Sequence, residues 1–511
     1  MKKLISIIMT AALLLGVFAG CGSTETTDNG ATGGSDTEKK VKDTITLVTE
    51  AEPETLDPRK GNTVANNIIQ TLIFDALISM DDDNVFHPRL ATEWDFIDDT
   101  HLRFKLRENV KFSNGYDFTA EDVLYSFART KLDSTSISTM AWYDDVNSYA
   151  EDDHTVVLAM NYPYAPALQV LTGGRTWIGS KQAIEEMGED AYARNPVGTG
   201  PYVLDTWTTG ASISLKANDT YWGDAPKTSK LLFNIVAEPN SRVIALETGE
   251  ADFAYYINGS DMERVNAISG YHIESGPSCK YYTVCLNMQN EKFSDPKVRE
   301  ALSLAIDMDA LVDAGFDGTA TVMQSCLPSK VEGAKNVYGD GWEYNPEKAK
   351  QLLQEAGVTN LSFELHIMPT AEFQKLAEII QSFWQEIGVT TNIEQSTVAA
   401  REAQGPWEAS IRNGNATEVT GILIIYDSAF ASRIGSNDAA LDAMLLKLQQ
   451  TYDEKDRLQQ ISDLQDYIYK IRYTIPFAEV DTIFGVNDKI ENYKFSYNIS
   501  HANIQDWVVY E

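Results

Sequence analysis

Three features of the sequence predict a two-lobed α/β fold. The 511 residues exceed what one core supports, because single hydrophobic cores stop growing near roughly 250 to 300 residues. Hydrophobic content of 43%, charged content of 23% and aromatic content of 10% belong to a globular chain and exclude disordered, collagen-like and coiled-coil classes. Between Asn345 and Ile393 the apolar spacing runs strand, helix, strand, which at this length requires a right-handed crossover and a parallel pair.

The chain begins with Met1, Lys2 and Lys3, then an uncharged run from Leu4 to Gly20, the plan of a secretory signal. The run sits at the short end of the roughly 17 to 25 residues that span a bilayer, so residues 1–20 are predicted to be a cleaved leader. Small residues Ala19 and Gly20 precede Cys21, as in the lipobox that this start resembles, and Cys21 is expected to be the lipidated first residue of the mature chain. Residues 21–43, rich in Gly, Ser, Thr, Asp and Glu, bury too little apolar surface to order themselves and are expected to form a flexible tether.

Along the body, Leu102–Arg107 alternates apolar and basic residues and reads as a half-buried strand. Asn114 and Gly115 supply a turn. Thr119 with Asp122 marks a helix start, followed by Val123, Leu124, Phe127 and Ala128 at helical spacing. Asn240 or Ser241 is expected to cap a helix that Gly249 stops, and Asp295 with Pro296 opens another whose Val298, Ala301, Leu302 and Ala305 form one stripe. Asn345 and Pro346 open a helix ended by Gly357. Leu361, Phe363, Leu365 and Ile367 alternate as a strand, Leu376 to Ile387 form a helix, and Val389 to Ile393 form the second strand.

Forty-one basic residues against 75 acidic ones give a net charge of −34, a field that repels nucleic-acid phosphates and anionic headgroups. No nucleic-acid partner is expected. Of three later cysteines, Cys279 and Cys285 would lie about 20 Å apart on one extended strand, at about 3.3 Å per residue, too far to bridge. At most one disulfide, through Cys326, is possible; the alternative is three buried thiols. The sequence has no Gly-x-Ser-x-Gly elbow, P-loop or His-Glu-x-x-His, and Gly198-Thr199-Gly200 lacks a third glycine for a dinucleotide turn. The six histidines are scattered without ligand spacing, so neither a protein-made metal site nor a cofactor is expected. Asp81–Asp83, Asp98–Asp99 and Asp144–Asp145 sit among turn residues and read as solvated loops.

Five blocks in order carry a family resemblance. They are Phe104–Phe112 with Phe118–Val123, Asn195–Tyr202, Tyr221–Gly223, Leu246–Asp252, and Asn287 leading into Val298–Leu302 and Ala305–Asp307. Together these resemble the solute-binding proteins of ABC importers, family 5, whose cargos include oligopeptides, dipeptides and nickel. The residues themselves read as scaffold: Pro196, Gly198, Gly200 and Pro201 suit a rigid loop, and Arg299 a salt-bridged helix residue. The resemblance implies a type II periplasmic-binding-protein-like fold with an extra subdomain in lobe one, hinged by two strands. It places the hinges near 276–283 and 477–482, lobe one at 44–277 plus 480–511 and lobe two at 278–479. It further implies a non-enzymatic, extracytoplasmic lipoprotein, acting as a monomer, that captures a short peptide or similar small polar solute and delivers it to membrane permease subunits. Peptide sensing on the same fold, and nickel chelate, haem or oligosaccharide as cargo, are the alternatives within it; an extracellular hydrolase using paired carboxylates is a third class.

In peptide-binding relatives a carboxylate in a segment resembling Ala-Asp-Tyr-x-Asp-Pro pairs with the ligand amine. Here Leu423–Ala429 matches in part, making Asp427 and Tyr426 candidates, although the first Asp and the Pro are missing; a turn Asp capping its own backbone is the alternative for Asp427. Arg401 and Arg412 are candidates for a ligand carboxylate, since guanidinium holds it bidentately. Trp407, Tyr281 and Tyr282 are candidates for stacking, with core packing as their alternative.

Overall fold

The computed structural model describes residues 40–511, apart from 61–62, 134–139, 340, 398–400, 402–406, 416–417, 431–433, 497, 499–502 and 511. The expected leader at 1–20, Cys21 and the tether to residue 39 lie outside the described residues.

The alternating and helical patterns appear where the sequence places them. His101–Leu106 buries Leu102, Phe104 and Leu106 and turns Arg103 and Lys105 toward Asp95 and Glu93 of the neighbouring strand. The helix Ala120–Leu132 is opened by a reciprocal cap in which Thr119 N–H donates to Asp122 at 2.9 Å. One start differs: the helix expected to be capped by Asn240 or Ser241 runs Pro239–Glu247 with Glu238 as its cap. Pro239 is pre-set for the first helical position and has no N–H to satisfy, so the helix begins there.

An 11-stranded sheet runs through the body in the order Thr390–Gln395, Ser362–Ile367, Ala409–Asn415, Tyr271–Leu286, Thr474–Asn487, Phe253–Ala254, Thr44–Thr49, Lys230–Ile235, Ser212–Ala217 and Tyr202–Thr208, with Ala320–Val322 added to Thr474–Asn487. Ser362–Ile367 and Thr390–Gln395 are parallel, joined by the helix Ala371–Glu386, as the strand–helix–strand spacing predicts. A separate four-stranded antiparallel sheet, Ala91–Asp98, His101–Leu106, Thr155–Met160 and Tyr143–Asp152, forms an extra layer.

Two strands connect everything. Tyr271–Leu286 and Thr474–Asn487 pair antiparallel along almost their whole length, and their register breaks between Pro277 and Lys280 and again between Tyr282 and Thr283. On one side of the first break the cores draw on residues 45–273 and 483–509; on the other they draw on residues 279–478. Bulges of this kind bend a ladder and locally raise its twist, so the sheet is continuous while the packing is divided.

The proline- and glycine-rich block at 196–201 is scaffold. A Cβ at Gly198 or Gly200 would lie 2.1 or 2.6 Å from the backbone of Ile73, which only glycine permits. Arg299 donates to the carbonyls of Ile471, Phe293 and Ser294 at 2.7 to 2.9 Å and ties its helix to the end of the helix Glu454–Ile471, through carbonyls and not through the expected salt bridge. Cys279, Cys285 and Cys326 are free and buried; burial pushes the thiols of Cys279 and Cys326 up to about 12.

Candidate functional site

The second crossing point of the sheet sorts the candidates. Side chains alternate faces along a strand, so Tyr281, Thr283 and Cys285 share one face with their partners Gly414, Arg412 and Ser410, while Tyr282 and Val284 share the other. The first face packs on a core containing Trp407, Tyr426 and Cys326; the second packs on the core of Phe316, Phe373 and Phe477. Tyr282 is fully buried in that second core, and its hydroxyl donates to Glu372. It therefore lies on the opposite face of the sheet from Arg412 and is packing, not a ligand contact. Tyr281 lies flat against Gly414, where a Cβ would come within 2.6 Å of its ring, and so covers the strand beside Arg412.

Arg401, Arg412 and Trp407 come together. Each guanidinium carbon lies 5.2 Å from the indole centroid, within the range where a cation is attracted to the ring face. Arg412 reaches only the Ser410 hydroxyl, at 3.3 Å, and its buried Nη2 has no partner. Among the described residues no carboxylate pairs with it. The Cys285 thiol beneath is pushed up by burial, and both arginines pull it partly back down, so two positive charges converge on one small region.

Tyr426 and Asp427 have local roles. Tyr426 is buried, with its hydroxyl 2.6 Å from that of Thr474. Asp427 accepts the Ala429 N–H at 2.8 Å, the self-capping turn left open by the sequence. Tyr426 ends the single turn Ile424–Tyr426 that follows the helix Val419–Leu423, and Asp427 is the extended residue after it; neither is at the end of a strand.

The carboxylate at the strand end is Glu418, which sequence matching missed. Ala409–Asn415 ends with Asn415 opposite Lys280, beside the first register break, and Glu418 then caps the helix Val419–Leu423. It accepts the Thr420 N–H at 2.8 Å as well as the Thr420 hydroxyl. Burial pushes its carboxyl up, opposed by hydrogen bonds from Thr420 and Gly421 and least by Arg457, which is itself committed to Glu332 at 2.6 Å. Glu418 thus has no ion-pair partner among the described residues. On the lobe-one side Tyr164 stands beside Glu418 and Thr420, and its hydroxyl is pushed up by burial first and by Glu418 second. Tyr162 feels Asp427 in the same way. One sequence signal could have pointed to Glu418: an acid immediately before the apolar run Val419–Leu423.

Two outer grooves, of about 790 and 510 Å³, are lined by none of these residues. Among the described residues no cluster of His, Cys, Asp and Glu could hold a metal ion, and no helix is long and apolar enough to cross a membrane.

Two sets of cores joined by one continuous pair of crossing strands are the architecture of a solute-capturing protein. Residues 85–426 match the family described as bacterial extracellular solute-binding proteins, family 5, middle. The chain belongs to this family. GsiB, a glutathione-binding protein of Escherichia coli strain K12, is 28% identical over 397 residues, covering 76% of this chain and 75% of GsiB. Among solved structures, NikA from Brucella suis in complex with Fe(III)-EDTA matches with a TM-score of 0.81 at 22% identity, over 91% of this chain and 99% of NikA. DppA from Helicobacter pylori in complex with the peptide STSA matches at 0.78 and 24% identity, over 92% and 98%. These two likenesses establish the type II periplasmic-binding-protein fold. As a family 5 member the protein is the substrate-binding component of an ABC importer, extracytoplasmic or periplasmic, with a small ligand and permease subunits as partners. Its relatives are solute-binding proteins, not enzymes.

Proposed function

We propose that this family 5 protein captures short zwitterionic peptides or peptide-like solutes, with the ligand carboxylate on Arg412, helped by Arg401 and Trp407, and the ligand ammonium on Glu418. The observation that carries this is a pair of opposite charges on one stretch of chain, neither with an ion-pair partner among the described residues: Arg412 with a bare buried Nη2 and Glu418 with a desolvated carboxyl. An unpaired charge out of water is costly, and a ligand bearing both complementary charges offsets both at once. Six residues of chain separate them by at most about 20 Å, a span that suits a ligand of a few residues. The similarity to GsiB, named for glutathione, supports the same class.

Closure proceeds about a hinge at 276–283 and 477–482, where the crossing strands lose register, with 44–277 plus 480–511 as lobe one and 278–479 as lobe two. The ligand stabilises the closed form only by its differential contacts. The mature protein is held to the outer face of the cell membrane by a lipid on Cys21, acts as a monomer, and hands its cargo to the permease.

Thermal-shift measurements on the full-length protein in detergent test the ligand class. A native-state ligand at 100 times its dissociation constant adds about 2.7 kcal/mol. Glutathione and free di- and tripeptides should raise the melting temperature, whereas the same peptides amidated at the carboxyl end should not. A response to metal chelates, haem or oligosaccharides alone would overturn the reading. Loss of labelled fatty acid in Cys21→Ser would establish the anchor; retention would refute it.

A further inference from the structure

Lobe two grips lobe one at a place remote in sequence from the crossing strands. Tyr452 lies on the short link between the helices Ala439–Gln450 and Glu454–Ile471. Its hydroxyl donates to the Asp99 carbonyl at 2.8 Å and accepts the Tyr164 N–H at 3.1 Å, and its ring meets the edge of Phe96 at 4.8 Å. Next to it the Ala165 N–H donates to the Gln449 carbonyl at 2.7 Å. Further on, the Gln169 amide reaches Glu332 at 3.3 Å, which Arg457 already holds through both oxygens at 2.6 Å. The segment from Tyr162 to Gln169 is thereby pinned to lobe two at three points.

That segment presents a rigid aromatic face. Tyr164 stacks on Trp142 at 5.7 Å and 9°, and Tyr162 stands edge-on to Tyr164 at 6.1 Å and 86°. Tyr164 is near enough to Glu418 and Thr420, and Tyr162 to Asp427, for each hydroxyl to feel them. We infer that Tyr162 and Tyr164, clasped by Tyr452, are the end wall of the ligand chamber and set its length selectivity. The inference rests on the assignment of the ligand ammonium to Glu418. A ligand whose amine meets Glu418 finds Tyr164 immediately beyond, so nothing can be attached to that nitrogen. A longer chain can be accommodated only by parting the Tyr452 contacts, and with them the closed form.

The test is calorimetric titration of the full-length protein in detergent with dialanine, trialanine and octaalanine, each with a free and with an acetylated amine. Wild type should bind free trialanine at least about 30-fold more tightly than either acetyl-trialanine or octaalanine, about 2 kcal/mol in each comparison. Tyr164→Ala should narrow the trialanine-to-octaalanine ratio by about tenfold. Tyr452→Phe, which keeps the ring and removes both hydrogen bonds, should narrow it in the same direction by about threefold and serves if the alanine variant does not fold. Wild type that binds octaalanine as tightly as trialanine, or variants that bind trialanine with an unchanged ratio, would overturn the end wall and leave the peptide reading standing. Wild type that binds no alanine peptide would overturn both.

Discussion

Arg129 in lobe one is buried and Arg412 in lobe two is half-buried, and each keeps one buried nitrogen without a hydrogen bond, yet only Arg129 meets a carboxylate. Arg129 donates to Asp57 at 2.9 Å, and Asp57 is wholly buried; around them Arg59 and Glu189 complete a closed network. Arg412 has a hydroxyl at 3.3 Å and a bare nitrogen. The contrast extends to the acids: Asp75 in lobe one is met by Arg89, Thr199 and Trp222, whereas Glu418 accepts hydrogen bonds from Thr420 and Gly421 but forms no ion pair among the described residues. A paired buried ion holds a fold in one arrangement. An unpaired one stores free energy that a ligand can release, which is why the proposed site is built on the incomplete charges and not on the complete ones.

The largest effect should come from breaking the satisfied pair. Asp57→Asn removes the nearest counter-charge of the buried Arg129, leaving Glu189 at 3.8 Å, and should cost roughly 3 kcal/mol of stability, read by denaturant unfolding. A loss near zero would erase the distinction between the two arginines. Arg412→Met should do the reverse: affinity for a carboxylate-bearing ligand falls by about 2 to 3 kcal/mol, while unfolding stability holds or rises. If the variant instead unfolds easily, Arg412 belongs with Arg129.

Glu418→Gln should weaken an ammonium ligand by about 1.5 to 2 kcal/mol, measured by titration, and it should change the pH dependence of the unliganded protein. The Glu418 carboxyl is held above its ordinary value of 4.5, so the folded state keeps this proton longer than the unfolded one. Its contribution to stability is full below about 4.5 and is lost as pH rises through the folded value. The glutamine variant lacks that loss, so its stability relative to wild type should grow between pH 4 and pH 7; a constant gap would mean that Glu418 is hydrated. Smallest of all, Asp427→Asn keeps a turn acceptor for Ala429 and should shift affinity by less than about 0.5 kcal/mol. A tenfold loss would restore Asp427 to the ligand.

Local pattern carried much of the molecule. Alternation at His101–Leu106, the reciprocal cap at Thr119 and Asp122, and the strand–helix–strand unit from 346 to 395 were legible because each depends on neighbours within a few residues. The same holds for the blocks that resemble family 5, which proved to be mostly scaffold: Gly198 and Gly200 against Ile73, and Arg299 against three carbonyls.

The candidate site was legible only in part, for a physical reason. The sequence named Arg401, Arg412 and Trp407 together with both Tyr281 and Tyr282, which as neighbours on a strand take opposite faces. Which face meets the arginines depends on the pairing of 280–286 with 409–415, a contact across more than a hundred residues of chain that no local pattern encodes. A charge is a site when its partner is missing, and absence of a partner is a property of the folded surroundings. Length and periodicity therefore determined a two-lobed α/β fold, and the family's sequence blocks its solute-binding class; tertiary structure alone decided that Asp427 caps its own turn while Glu418, at a strand end, has no ion-pair partner among the described residues, and that Tyr452 bonds to the chain at Asp99 and Tyr164.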